Sequence, residues 1–167
     1  NGATQTFTAT VQTGGTFSVD VPADLVQGTF DVVATATDAA GNSATASDTG
    51  EIDTTPPAAT LTIDPVTADN IVNAGEATGN ITITGTVGGD VQVGDTVTLN
   101  VNGVNYTGLV LTGNTFAIAV PGAGVLADTD RRIDGSVTTT DAAGNSSTAT
   151  AQRAYSVNSA PLAVNDA

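Results

Sequence analysis

The sequence predicts an all-β chain made of tandem two-sheet sandwich units, and three observations predict it. The first is self-similarity. TDAAGNS occurs at 37–43 and again at 140–146, TGGTFSVDVP at 13–22 is answered by TGNTFAIAVP at 112–121, and Asn1-Gly2 is answered by Asn102-Gly103. A chain that repeats itself at about a hundred residues is part of an array in which each period is one domain. The second is strict alternation of apolar and polar residues, with no window showing a 3.6-residue apolar period. The third is punctuation, since glycine and asparagine interrupt threonine-, valine- and alanine-rich runs every eight to twelve residues or so.

The repeat sets the domain register. Residues 1–52 match only the back half of a unit, 53–57 form a linker, 58–157 form one complete unit, and 158–167 begin a further one with APLAVNDA. Within the complete unit, strand A is expected at 58–64 and strand B at 80–87. In B, Ile81, Ile83 and Val87 share one face, and Thr82, Thr84 and Thr86 the other. Strand C follows at 96–102, with Val97, Leu99 and Val101 inward. Asn102-Gly103 reads as a two-residue type I′ turn, because both positions need positive φ, and it leads into C′ at 104–111. The apolar parity of C′ flips between Tyr106 and Leu111, which predicts a bulge at Gly108. Thr112-Gly113-Asn114 reverses the chain into E at 115–120, where Phe116, Ile118 and Val120 repeat Phe17, Val19 and Val21. F at 132–140 and G at 146–156 flank DAAGN, a type I turn whose Gly144 (Gly41 in the first unit) supplies the left-handed residue. Seven strands in about 100 residues predict an immunoglobulin-like sandwich.

Composition narrows the function. Seventeen acidic residues stand against three arginines, with no lysine, histidine or cysteine, for a net charge of −14. Such a chain repels nucleic acid and anionic membranes, and no apolar run approaches the roughly 18 residues of a membrane span. Without histidine, cysteine or lysine there is little to build catalysis on. The carboxylates map to domain ends, away from any aromatic-lined cleft that would process a sugar, so no enzyme activity is expected. So many carboxylates with so few cations to pair them point instead to metal ions.

The ordered set DTTPP, TIDPVTADNIVNAGEA, ITITGTV, VNG and TDAAGNS resembles the bacterial Ig-like extender repeats of giant, calcium-dependent, repeats-in-toxin (RTX) surface adhesins. The resemblance covers nearly the whole chain, although the last linker reads NSAP where the first reads DTTPP. It implies a secreted, cell-surface location and a structural spacer role, with Ca²⁺ stiffening the fibre and neighbouring repeats of the same chain as partners. The distal ligand of the fibre is not implied.

Strand order places the carboxylates. If strand A enters at the top, the B–C loop (88–95) and the F–G loop (141–145) lie at the top, and the A–B loop (64–76) and E–F loop (121–130) at the bottom. In a head-to-tail array, one junction then gathers Asp24, Glu51 and Asp53 from the first unit and Asp95, Asp141 and Asp90 from the second, while Asp38 serves the upstream junction. Two unit charges about 5 Å apart repel by roughly 3 kcal/mol at an effective dielectric of 20, and Ca²⁺ takes six to eight oxygen ligands in loose geometry. Asp38 and Asp141 can also simply accept hydrogen bonds from their own turns. The long A–B loop offers a second oxygen-rich set, Asp64, Asp69, Asn70, Asn73 and Glu76, with Asp128 or Asp130 nearby; the plainer reading is a solvated acidic loop. The spacing is not that of an EF-hand, and GGDVQVGD does not iterate as an RTX nonapeptide would.

Two other roles compete with the spacer. One is a module that itself binds glycan, ice or a host surface, for which the exposed threonines Thr82, Thr84, Thr86, Thr138 and Thr140 are candidates. The other is an accessory module of a secreted polysaccharide enzyme.

Overall fold

A computed structural model describes residues 5–20 and 27–158, which fall into two compact units, Asn1–Thr54 and Thr55–Ala167. The Asn1-Gly2 repeat, Asp24 and the tail from 159 lie outside the described residues.

Alternating side chains build the second unit as expected. Its strands are β3 (Ala59–Ile63), β4 (Ile71–Asn73), β5 (Asn80–Gly89), β6 (Thr96–Val101), β7 (Val104–Leu109), β8 (Thr115–Pro121), β9 (Arg132–Thr140), β10 (Ser146–Ala154) and β11 (Ser156–Asn158), with one helical turn α1 (Gly122–Ala127). One sheet has the order β3-β5-β8, the other β10-β9-β6-β7, and every pairing in both is antiparallel. The core lies between them. Ile83, Phe116, Ile118 and Val120 enter it from the first sheet, and Val97, Leu99, Val101, Ile133 and Val137 from the second. Every second residue of β5 and β8 is buried, so period-two patterning alone decides which face is interior.

The turns follow their chemistry. Asn102 and Gly103 have φ of 50° and 76°, as a type I′ turn requires, and Gly41 and Gly144 take φ of 92° and 94° in the two DAAGN turns.

Three expectations are corrected. There is no bulge at Gly108: the β6–β7 register runs unbroken from Thr96↔Leu109 to Val101↔Val104. Tyr106, Gly108 and buried Val110 keep one parity, while Leu109 and Leu111 stay exposed. Gly108 is there for room, since a Cβ would come within 2.6 Å of Ile118 Cγ1. The stretch read as one acidic A–B loop contains β4 and a 3₁₀ turn (Glu76–Thr78), and the E–F connection contains α1. Strand G divides at Tyr155 into β10 and β11, and β11 leaves the four-stranded sheet to pair in parallel with β4. These short elements carry too few residues for a periodicity to register.

In the first unit, β1 (Gly28–Thr37) pairs with β2 (Ser43–Ile52) as an isolated antiparallel ribbon. Residues 5–20, which match β7 and the start of β8, form only a hairpin turn held by Gln12 N–H to Thr16 O at 2.8 Å. The physical reason lies in the second unit, where β7 is zipped to β6 and β8 to β5; residues 5–54 carry no counterpart of either partner. Phe17 is consequently 54% exposed, whereas its counterpart Phe116 is 1% exposed.

Candidate functional site

The loops gather at two ends of the second unit. At one end Asp90 clamps the start of β3: its N–H donates to Ala58 O at 2.7 Å, and its Oδ2 accepts from Ala58 N–H at 2.8 Å. Thr139, at the end of β9, donates to Asp90 O at 3.3 Å. The B–C and F–G loops therefore share an end with the beginning of strand A. Asp95, in the same B–C loop, accepts from Gln92 N–H through Oδ2.

Asp141 caps its own turn. Its Oδ1 accepts from Ala143 N–H and Asn145 N–H, both at 2.9 Å, and its Oδ2 accepts from Asn145 Nδ2 at 3.0 Å. Asp38 repeats the arrangement with Ala40 and Asn42 in the first unit. DAAGN is thus a self-capped turn, in which the carboxylate satisfies two backbone donors that a tight reversal leaves unpaired.

The opposite end is stitched by residues that patterning did not single out. Asn70, in the left-handed region at φ 58°, accepts from Val66 N–H and donates to Ala154 O at 2.9 Å, and its carbonyl accepts from Ser156 N–H. Arg153 turns inward and donates through Nε and Nη2 to Ile63 O at 2.8 and 2.6 Å. Asp128 is only 4% exposed. The Tyr155 hydroxyl sits 2.6 Å from Val125 O and 3.1 Å from Asp128 Oδ2. Burial, reinforced by the neighbouring Asp128 carboxylate, pushes the Tyr155 phenol well above its usual range. Tyr155→Phe is expected to cost about 1–3 kcal/mol, because it strips a buried carboxylate and a carbonyl of their shared donor; comparing urea midpoints of the two proteins checks it.

The A–B loop set turns back on its own backbone. Asp69 Oδ1 accepts from Ile71 N–H and Thr67 Oγ1, Glu76 Oε2 accepts from Asn73 N–H, and Asp64 Oδ2 accepts from Thr84 Oγ1. Asn73 Oδ1 takes the amides of Gly75 and Glu76. Asp69 and Glu76 each use one carboxylate oxygen in this way and leave the other to solvent or a cation. Asp130 accepts from Arg132 N–H and, with Asp134, flanks the Arg132 guanidinium. Among the described residues of either unit, no three acidic side chains converge closely enough to hold a metal ion unaided.

Acid sensitivity follows from these caps. The Asn42 side chain holds Asp38 below the ordinary carboxylate range, Asn145 does the same for Asp141, and the Ile71 amide for Asp69. A lowered folded-state value means the stabilisation is complete above the model value of 3.8 and is lost as pH falls through the lower folded value. Melting temperature is expected to fall as pH drops below about 4. Asp141→Asn should flatten part of that fall, as melts at stepped pH would show.

The exposed threonines divide between two surfaces. Thr82, Thr84 and Thr86 lie on the three-stranded sheet, while Thr138 and Thr140 lie on the four-stranded one. They do not form a single plane. Thr138 pairs with Thr148 and Thr140 with Ser146 through their hydroxyls. On that four-stranded face a shallow depression of about 370 Å³ is lined by Thr98, Asn100, Asn105, Asp134, Ser136 and Gln152, among others, with no aromatic ring.

Known proteins share this architecture. Residues 1–54 match the bacterial Ig-like domain family. Among solved structures, a bacterial immunoglobulin-like domain from the M. primoryensis ice-binding adhesin is 39% identical, with a TM-score of 0.58, over 61% of this chain and 99% of that one. A Ca²⁺-stabilized adhesin that helps an Antarctic bacterium reach out and bind ice is 38% identical (TM-score 0.64), over 79% of this chain and 32% of that one. A 1.5-MDa bacterial ice-binding adhesin, described for its retention at the host cell surface, is 37% identical (TM-score 0.66), over 79% of this chain and 42% of that one. The chain thus spans well under half of these last two proteins. No curated protein matches. With self-capped DAAGN turns, a two-sheet sandwich and nearly the whole of a 39%-identical domain in common, the chain belongs to the bacterial immunoglobulin-like domains of large surface adhesins.

Proposed function

We propose that this chain is a non-catalytic extender segment of a bacterial cell-surface adhesin, stiffened by Ca²⁺ where successive units meet and in the A–B loop. The observation that carries the reading is the placement of acidic loops at the end of the second unit where its chain begins, with Asp90 and Thr139 tying those loops together. Kinship with an adhesin described as Ca²⁺-stabilized supports it. Within one unit the carboxylates serve their own turns, so a calcium site needs donors from two successive units. Asp95 and Asp141 would come from one; Asp24, Glu51 and Asp53 would come from the other and its linker, with Asp38 in the same role one junction upstream. Asp64, Asp69, Glu76 and Asp128 are the donors proposed for the other end of the unit. The chemistry suits the ion, which prefers carboxylate and carbonyl oxygen in irregular geometry. Bound calcium would neutralise the repulsion among these groups, and Pro56-Pro57 would limit bending of the linker by fixing φ. The array would then hold a distal binding domain away from the cell.

Melting across a calcium titration, with magnesium as control, tests this reading. A calcium-specific rise in melting temperature saturating at about 10⁻⁴–10⁻³ M, accompanied by a longer particle in small-angle scattering, is the expected result. Identical melts and scattering with and without chelator would overturn it.

A further inference from the structure

The inner face of the first unit is not a copy of the second unit's, and the difference falls where the two halves of a sandwich meet. Aligning the DAAGN turns places Phe30, Val32 and Ala34 of β1 at the positions of Ile133, Gly135 and Val137 of β9, and Gly50 of β2 at that of Arg153. In the second unit that face is buried under β3 and β6. A Cβ on Gly135 would stand 2.8 Å from Ile63 Cδ1 and 3.2 Å from both Leu61 Cδ2 and Leu99 Cδ2. Valine brings that Cβ and two further methyls. The equivalent Val32 is 46% exposed, and the Phe30 ring lies over Gly50. The guanidinium that reaches the Ile63 carbonyl in the second unit has no counterpart there, because Gly50 takes its place.

We propose that the face formed by Phe17, Phe30, Val32 and Ala34 is a docking surface for the front half of an Ig-like unit, the half that carries strands equivalent to β3–β6. We further propose that Val32 restricts it to a half trimmed at the positions of Ile63 and Leu99. The occupant is identified by the second unit itself, where that half covers the equivalent residues. The antiparallel register is inherited from Leu99↔Gly135 and Asn100↔Asp134, so the incoming strand sets its equivalent of Leu99 against Val32 and its equivalent of Asn100 against Asp31. A second copy of the chain cannot be the occupant without loss. Each copy brings two back halves (5–54 and 104–158) and one front half, so exchange always leaves one face bare. The large-for-small change at Val32 also has a use in an array. Neighbouring units with interchangeable halves misassemble, and a steric mismatch between them suppresses the wrong pairing.

The test uses the full chain, isotope-labelled, and two synthetic peptides covering residues 55–103, one native and one carrying Ile63→Val and Leu99→Ala. The trimmed peptide is expected to shift the resonances of Phe17 and Val32 and to bind about tenfold or more tightly than the native one. Val32→Gly in the chain should reverse that order. Because Val32→Gly can loosen the β1–β2 ribbon, a second measurement joins each 55–103 segment ahead of Asn1 through a flexible linker. The trimmed segment should add a second cooperative melting transition and the native segment should not. Equal affinity for both peptides, no response at Phe17 and Val32, or self-association of the chain that neither peptide displaces would each overturn the proposal.

Discussion

Phe116→Ala is expected to destabilise the complete unit by about 3–5 kcal/mol, a large share of the roughly 5–15 kcal/mol that holds a domain of this size together. Phe116 is 1% exposed and is the largest fully buried side chain, in a core otherwise built from valine, isoleucine and leucine with few alternatives to fill the void. At about 4–8 °C per kcal/mol for a domain near 100 residues, the melting temperature of this unit should drop by about 15–30 °C. The chain carries its own control. Phe17 occupies the matching place in the repeat but is 54% exposed, so Phe17→Ala should change stability by no more than about 0.5 kcal/mol. Calorimetry of both variants decides the matter; comparable losses would mean that Phe17 is buried in solution.

The second large effect is expected at Gly85. It sits on β5, opposite Phe116 on β8 and Ile63 on β3. A Cβ there would run into the Thr62 carbonyl oxygen and stand 2.6 Å from the Phe116 ring. The nearest obstacle is backbone, which cannot swing aside as a side-chain tip can, so β3 must separate from β5 or the ring must leave its place. Overpacking of this kind costs typically 1–3 kcal/mol, and Gly85→Ala should reach about 3 kcal/mol. Gly113→Ala provides a comparison of a different origin, since nothing lies within 4 Å of its Cβ position and only its φ of 87° resists the substitution. Urea denaturation of both variants should rank Gly85→Ala as the more damaging; the opposite ranking would show that the sheet yields more easily than the turn.

The sequence by itself determined the all-β class, the two-sheet sandwich, the repeat and the turns. Each of these is written in local chemistry: period-two alternation selects the buried face, and Asn102-Gly103 and DAAGN supply residues that tolerate positive φ. Which loops share an end also followed from strand order, and the Asp90–Ala58 and Thr139–Asp90 bonds agree with it. What only the tertiary structure decided are the contacts between residues far apart in the chain. Asn70 bonding to Ala154, Arg153 reaching the Ile63 carbonyl, and Tyr155 sharing its proton with Asp128 and Val125 have no local signature, because nothing near either partner announces the other. Gly108 shows the same limit. Its neighbours Leu109 and Leu111 suggest a change of face, whereas the room needed by Ile118 on an adjacent strand sets its role. The acidic loops were visible as composition. That Asp38, Asp69 and Asp141 spend their oxygens on their own backbone amides emerged only with the folded turns, since a carboxylate's partners depend on where the chain brings its donors.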